Sequence, residues 1–360
     1  MKISKFLAVI LAIIVITVFS SCGNGNVNKS TPTPDEIIEA TPTITATATA
    51  NVTATTTATA SPTPTATPKP EECAHNYVLS KTKANGDKRM HCSYCGNKYI
   101  EPNLDDSFKV LAIGNSYSIN SIWYLWDIAN DCGAKDIVIA SLYVSGASIN
   151  KHLETINKQG TYEKYYRYKN SSQREELMDY TLEKALKEEE WDIITIQQSS
   201  EESPFSYTYE KLFDLITCIK QFCPETKIVW NMTWSYANSY NSSTFAQFDN
   251  DQVKMYNGII DAVKKMVITN GYINGVIPVG TAIQNVRLTH IGDTLNSGDG
   301  THLKGDYGLY TAGLTYYAYL TGKEVMSLPL TPYGVNDEEE LITLKTAVKN
   351  AIEKPYEITR

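Results

Sequence analysis

The 360-residue chain lacks an excess of positive charge: 32 Lys and Arg stand against 40 Asp and Glu, a formal net charge of −8. No long basic run lies outside the extreme N-terminus, so nucleic acid is not expected as a partner, because phosphate binding needs clustered Lys and Arg. Long hydrophobic runs are missing too. The one apolar run, Phe6 to Phe19, is short for a membrane-spanning helix. His152 and His290 lack neighbouring ligand patterns, which leaves metal-assisted hydrolysis without support, and no cofactor is expected for catalysis. Between residues 30 and 70 bulky apolar side chains are scarce, so this segment cannot contribute to a core.

What is present begins with MKISKFLAVILAIIVITVFSSC: two lysines, an apolar run, then small residues, the layout of an export signal. Ser20 and Ser21 before Cys22 resemble a bacterial lipoprotein lipobox, although Phe19 stands where leucine is usual. The resemblance implies a mature chain that starts at Cys22 and is lipid-anchored there. The protein is then expected at the bacterial cell surface, on the outer leaflet of the cytoplasmic membrane, with residues 1–22 as signal peptide. An uncleaved signal anchor is the competing reading. Residues 23–70, rich in Thr, Pro and Ala, are expected to form an extended linker. At roughly 3 Å per residue it would reach on the order of 100 Å.

Residues 71–102 form a second unit in which Cys73-x-His75 and Cys92-x-x-Cys95 flank Asn85-Gly86, a hairpin turn signal. Two ligand pairs on either side of a hairpin match the tetrahedral thiolate and imidazole set that Zn²⁺ prefers. Disulfides are the alternative in an exported chain, but they would strand one of the three thiols. His91 is a rival to His75, though it neighbours Cys92 too closely for easy joint ligation. The unit resembles small zinc-ribbon-like modules of bacterial surface proteins, which implies a structural Zn²⁺ and no catalysis there.

From residue 106 to 360 the pattern alternates strand and helix. Apolar strands are expected at 108–114, 136–144, 192–197, 227–234 and 275–280. Helices are expected at 119–131, 175–190, 209–223, 251–267 and 304–322, with a last amphipathic one over 337–354. Five apolar strands separated by helices predict an α/β fold: a flavodoxin-like three-layer α/β/α domain around a parallel five-stranded sheet. Ligands of such sheets bind beyond the carboxyl ends of the strands.

Two motifs fall on that edge. Gly114-Asn115-Ser116 ends the first strand just before a helix, and Gly298-Asp299-Gly300-Thr301-His302 follows the fifth strand. Asp three residues before His lets one short turn bring a carboxylate to the imidazole. Taken singly, Ser116 reads equally as a helix cap and His302 as a surface histidine. Their shared edge points to a Ser116–His302–Asp299 triad.

These blocks resemble SGNH/GDSL hydrolases, which carry Gly-Asp-Ser, a glycine, Gly-x-Asn-Asp and Asp-x-x-His in that order. The likeness spans roughly residues 107–322, with GNS at 114–116, Gly146 in YVSGAS and DGTH at 299–302. It implies serine esterase chemistry, with the backbone N–H groups of Ser116 and Gly146 in an oxyanion hole. The third block is absent: Gln197-Gln198-Ser199-Ser200 stands in its place, and either glutamine is a candidate third donor. The expected substrates are an acylated polysaccharide or a small ester. The altered third block favours the alternative, a carbohydrate-binding surface protein without turnover. Trp234 and Tyr236 are candidates for stacking on a sugar or for packing under a loop, and Arg287 for binding a substrate anion or pairing with a local Asp.

Overall fold

The computed structural model describes residues 73–104, 107–329, 333–335 and 337–359. The signal, Cys22 and the Thr/Pro-rich segment lie outside the described residues.

The first described unit is a three-stranded antiparallel sheet of β1 (Tyr77–Thr82), β2 (Lys88–Cys92) and β3 (Lys98–Glu101). Its first turn contains Asn85-Gly86, where Gly86 takes φ +91°, a conformation that disfavours any side chain. The Asn85 side chain bonds Asp87 twice, from Nδ2 to Oδ2 and from the Asp87 N–H to Oδ1.

The main sheet is mixed and seven-stranded rather than parallel and five-stranded. Its strands are β4 (Ser107–Gly114), β5 (Asp136–Tyr143), β6 (Lys164–Asn170) and β7 (Gln173–Leu177), then β8 (Ile193–Ile196), β9 (Lys227–Asn231) and β10 (Val276–Ile277). The order is β10-β9-β8-β4-β5-β6-β7. Neighbours from β10 to β5 pair in parallel, while β6 pairs antiparallel with β5 and β7 with β6. The segment from Glu175 to Leu177, expected as helix, lies in β7. Glu and Leu favour helix locally, but pairing with β6 overrides that preference. On this hairpin the Arg174 guanidinium lies 4.6 Å from the Tyr166 ring and 5.1 Å from that of Trp123. The charged face of β7 also blunts an edge that would otherwise recruit further strands.

The expected 119–131 helix is two, α1 (Ser116–Ile122) and α2 (Leu125–Asp131). There follow α3 (Ile149–Asn157), α4 (Leu182–Lys187), α5 (Leu212–Lys220), α6 (Ser243–Ala246) and α7 (Gln252–Ala262). The last three are α8 (Val279–Arg287), α9 (Tyr307–Thr321) and α10 (Glu338–Glu353). The fifth parallel strand stops at Ile277, and after Pro278 the chain turns at once into α8. Right-handed crossovers place α1 and α2, which lead from β4 to β5, on one face. They place α5 and α7, which advance the other way along the sheet, on the opposite face. Helix α9 packs against α1, α2, α8 and α10 and is buried along nearly its whole length. Along the parallel part the chain order reverses between β4 and β8, so their carboxyl ends open a crevice where ligands of such sheets bind.

Candidate active site

Strand β4 delivers Ser116 to that crevice. A Cβ on Gly114 would lie 2.8 Å from Ser118 Oγ, so the strand ends on a residue without one. Asn115 caps α1 by accepting the Tyr117 N–H at 2.9 Å. Its Nδ2 donates to the Ala147 carbonyl at 2.9 Å and its Oδ1 accepts from Gln197 Nε2 at 2.8 Å. Ser116 is the first residue of α1, so its N–H has no partner in the helical ladder.

The loop after α8 brings the imidazole. His302 Nε2 lies 2.7 Å from Ser116 Oγ, and His302 Nδ1 lies 2.6 Å from Asp299 Oδ2. Asp299 Oδ1 accepts the Thr301 and His302 N–H groups at 2.9 Å each and the Ser297 hydroxyl at 2.8 Å. Partial burial opposes ionisation of Asp299, but these donors and the imidazole outweigh it and hold the carboxyl well below the usual carboxylate range. An ionised Asp299 keeps the ring proton on Nδ1, which leaves the Nε2 lone pair facing the Ser116 hydroxyl. The His302 and Asp299 side chains are 38% and 48% exposed, so the dyad stands at an open rim.

A second tier fixes this loop. The Thr301 carbonyl accepts from Tyr117 Oη at 2.9 Å, Trp234 Nε1 at 2.9 Å and Asn296 Nδ2 at 3.1 Å. The Leu303 N–H donates to Asn120 Oδ1 on α1 at 2.9 Å. Arg287 pairs with Asp293 at 3.0 Å and donates to Ser235 Oγ, the Ser235 carbonyl, Gln284 Oε1 and Asn296 Oδ1. Its side chain is 1% exposed, and burial lowers its pKa to about 10, still charged at neutral pH. Arg287 is therefore a brace for the His302 loop and not an anion receptor. Trp234 and Tyr236 are buried as well: Trp234 stacks on Tyr117 at 4.1 Å, and the Tyr236 hydroxyl bonds Ser200 Oγ at 3.2 Å. Neither ring is open to a sugar.

Of the expected oxyanion donors, Gly146 lies in the exposed turn after β5, one residue before the carbonyl that Asn115 holds. Its φ of +59° lies in the left-handed region that favours glycine, while a Cβ there would meet no neighbour. Gln198 is not available as a donor, which corrects that expectation. Its Nε2 gives both hydrogens to Thr208 and its Oε1 accepts the Ile149 and Ser199 N–H groups. Gln197 is 1% exposed and bridges Asn115 to Asn231, whose Nδ2 donates to Gln197 Oε1 at 2.8 Å and to Ser121 Oγ at 3.1 Å. Asn115, Asn231 and Asn296 were not anticipated. The available signal for Asn231 is an amide at the tip of the apolar strand KIVWN, on the ligand-binding edge.

On the module, Cys73, His75, Cys92 and Cys95 stand together, with ligand atoms within 4.8 Å of one another. Cys218 is partly buried, and Cys223 is buried with its thiol 3.5 Å from the Leu186 carbonyl.

A family model described as a domain of unknown function, DUF4886, matches residues 109–351. A DUF4886 family protein from Bacteroides uniformis, known from a crystal structure at 1.50 Å resolution, is 36% identical. The match covers 71% of this chain and 98% of that one, with a TM-score of 0.67. More distant are a proposed SGNH hydrolase from Slackia heliotrinireducens and a proposed GDSL-like lipase from Parabacteroides merdae. The first is 16% identical over 59% of this chain and 98% of that one, with a TM-score of 0.36. The second is 14% identical over 61% and 96%, with a TM-score of 0.38. No curated protein matches the chain.

Proposed function

The chain belongs to the DUF4886 family, and on that premise we propose that it is a serine esterase acting by acyl transfer to water. The observation that carries this reading is the unbroken relay from Ser116 Oγ through His302 to Asp299, with spacings of 2.7 and 2.6 Å. His302 Nε2 takes the Ser116 proton as Oγ attacks the ester carbonyl. The negative charge that develops on the carbonyl oxygen is met by the N–H groups of Ser116 and Gly146. The imidazolium then gives its proton to the departing alcohol, leaving an acyl-serine. A water molecule, deprotonated by the same nitrogen, releases the carboxylic acid and restores the serine. Asp299 stays ionised throughout, orienting the ring and stabilising its charged form.

For the substrate we propose an O-acyl group, acetyl foremost, on a carbohydrate. The exposed rim at His302 and Asp299 suits a small acyl group carried on a bulky polymer that cannot enter a deep pocket. The signal and Cys22 would place the enzyme beside cell-surface or environmental polysaccharide. One observation favours the rival reading of a binding protein without turnover: no Gly-x-Asn-Asp block follows β8, and the Gln197 amide is tied to Asn115. The test is a panel of acetylated sugars and p-nitrophenyl esters with the wild type and Ser116→Ala. The proposal expects turnover that falls at least about 10³-fold in the variant. Equal rates in the two proteins would overturn it.

A further inference from the structure

The three-stranded module has too little core to hold itself together. All of β1 after Tyr77 is exposed, and the largest fully buried apolar side chain of the three strands is that of Cys92 at the end of β2. Sheets this small need a staple or a partner surface to be stable. The module has a surface to lean on: the Ile100 N–H donates to the Glu225 carbonyl at 2.7 Å, Lys227 pairs with Glu101 at 2.6 Å, and Arg89 pairs with Glu225. These partners lie at the start of β9. Tyr77 Oη donates to the Gly271 carbonyl at 2.9 Å, on the segment leading into β10. The module therefore docks on the amino edge of the main sheet, opposite the edge that carries Ser116.

At this joint the four Cys and His side chains meet. Cys73 Sγ lies 3.8 Å from Cys92 Sγ, and His75 Nδ1 lies 3.2 Å from Cys95 Sγ. A tetrahedral ion with Zn–S bonds near 2.3 Å needs sulfurs about 3.8 Å apart, so the set is spaced as ligands of one ion. The Cys92–Cys95 turn closes as a knuckle: the Gly96 N–H donates to the Cys92 carbonyl at 2.9 Å, and the Tyr94 N–H points at Cys92 Sγ at 3.4 Å. Such an N–H donor stabilises a thiolate over a thiol. His75 is held from both sides of the joint, its ring stacked 5.3 Å from that of Tyr77 in the module and 5.2 Å, edge-on, from that of Tyr272 in the domain. Gly271 passes beneath it, where a Cβ would come within 1.9 Å of His75 Cδ2.

We propose that Cys73, His75, Cys92 and Cys95 bind one structural Zn²⁺ that locks the module onto the amino edge of the α/β domain. Three of the ligands are thiolates, which select a soft or borderline cation over Mg²⁺ or Ca²⁺. Four protein ligands fill the coordination shell, so the ion has no open position for water and no part in ester hydrolysis. Because Cys73 is itself a ligand, the ion also fixes where the preceding chain enters the folded body, on the side facing away from Ser116.

The test uses the full chain purified without chelator, with metal content measured by plasma mass spectrometry. One zinc per chain is expected in the wild type and in His75→Cys, which keeps four soft ligands, and none in His75→Ala or Cys92→Ser. Cobalt substitution should give the thiolate-to-metal charge-transfer band of a tetrahedral site. Stripping zinc with 1,10-phenanthroline should lower Tm and raise hydrogen exchange together in residues 73–101 and 268–274. Hydrolysis of a small p-nitrophenyl ester by the still-folded domain should stay within about twofold. Zinc absent from the wild type, with a Cys73–Cys92 disulfide in non-reducing peptide maps, would overturn the proposal. Zinc retained in Cys92→Ser would do the same. Failure of esterase activity in every form would leave these metal results standing, so the two readings fail separately.

Discussion

Asp299→Asn is the perturbation that separates orientation of the imidazole from mere packing. In the wild type, Asp299 Oδ1 accepts three hydrogen bonds, from Ser297 and from the Thr301 and His302 N–H groups. An Asn side chain keeps all three by placing its carbonyl oxygen there. Its NH₂ group then faces His302 Nδ1, which must become the acceptor. The ring proton moves to Nε2, and the nitrogen 2.7 Å from Ser116 Oγ can no longer take the serine proton. In a buried triad this tautomer error lowers kcat about 10⁴-fold. Here the two side chains are 38% and 48% exposed, so water offers the ring an alternative partner. We therefore expect a fall of about 10³-fold, or roughly 4 kcal/mol of transition-state stabilisation. Because the loop keeps its hydrogen bonds, Tm at neutral pH should fall only by what the ionised carboxylate adds beyond a neutral amide, a difference that closes as pH falls. The assay is kcat for a p-nitrophenyl ester, with Tm measured in parallel. Activity within tenfold of wild type at unchanged Tm would refute the role given to Asp299. A large loss of Tm would show that the carboxylate holds the loop and not the ring.

Other outcomes follow from the same contacts. Arg287→Lys loses the fork that reaches Ser235, Gln284 and Asn296 from a site 1% exposed, so stability in urea should drop by about 3 kcal/mol, with a lower kcat, and unchanged melts would remove the brace. The hydrogen bonds that depress Asp299 make its ionised form a stabilising group above the unfolded carboxylate pKa of about 4. That contribution is lost as pH falls below this value towards the depressed folded one. Between pH 6 and 2.5 the wild type should thus lose more Tm than Asp299→Asn does, and parallel curves would contradict the assignment. Gly271→Ala forces a Cβ into the His75 ring at a backbone φ of +73°, so residues 73–101 should gain proteolytic sensitivity while ester turnover persists, and an unchanged digest would argue against docking at this joint.

Much of this architecture could be read from the chain because its parallel strands are continuous apolar runs. Both IITI in β8 and KIVWN in β9 are buried throughout, which a strand covered on both faces requires. The β6–β7 hairpin was illegible for the opposite reason. KYYRYKN mixes tyrosine with charge, and QREEL carries helix formers, so these segments become strands only through pairing, β6 with β5 and β7 with β6. Ser116, Asp299 and His302 were legible because motif and sheet edge agree. The glutamines were located by sequence but not understood. Position at a strand tip does not say whether an amide faces the crevice or, like that of Gln198, is consumed by Ile149, Ser199 and Thr208. Trp234 stays open between stacking on a sugar and packing under a loop until the Thr301 carbonyl that takes its N–H is known.

The esterase reading requires Ser116 to be a nucleophile activated in the folded protein. Its most direct test is a fluorophosphonate probe applied to native protein, with the adduct mapped by peptide mass spectrometry. One adduct per chain is expected, on Ser116, absent from denatured protein and strongly slowed in His302→Ala. Native protein that stays unlabelled, or carries its adduct on another serine, would contradict it.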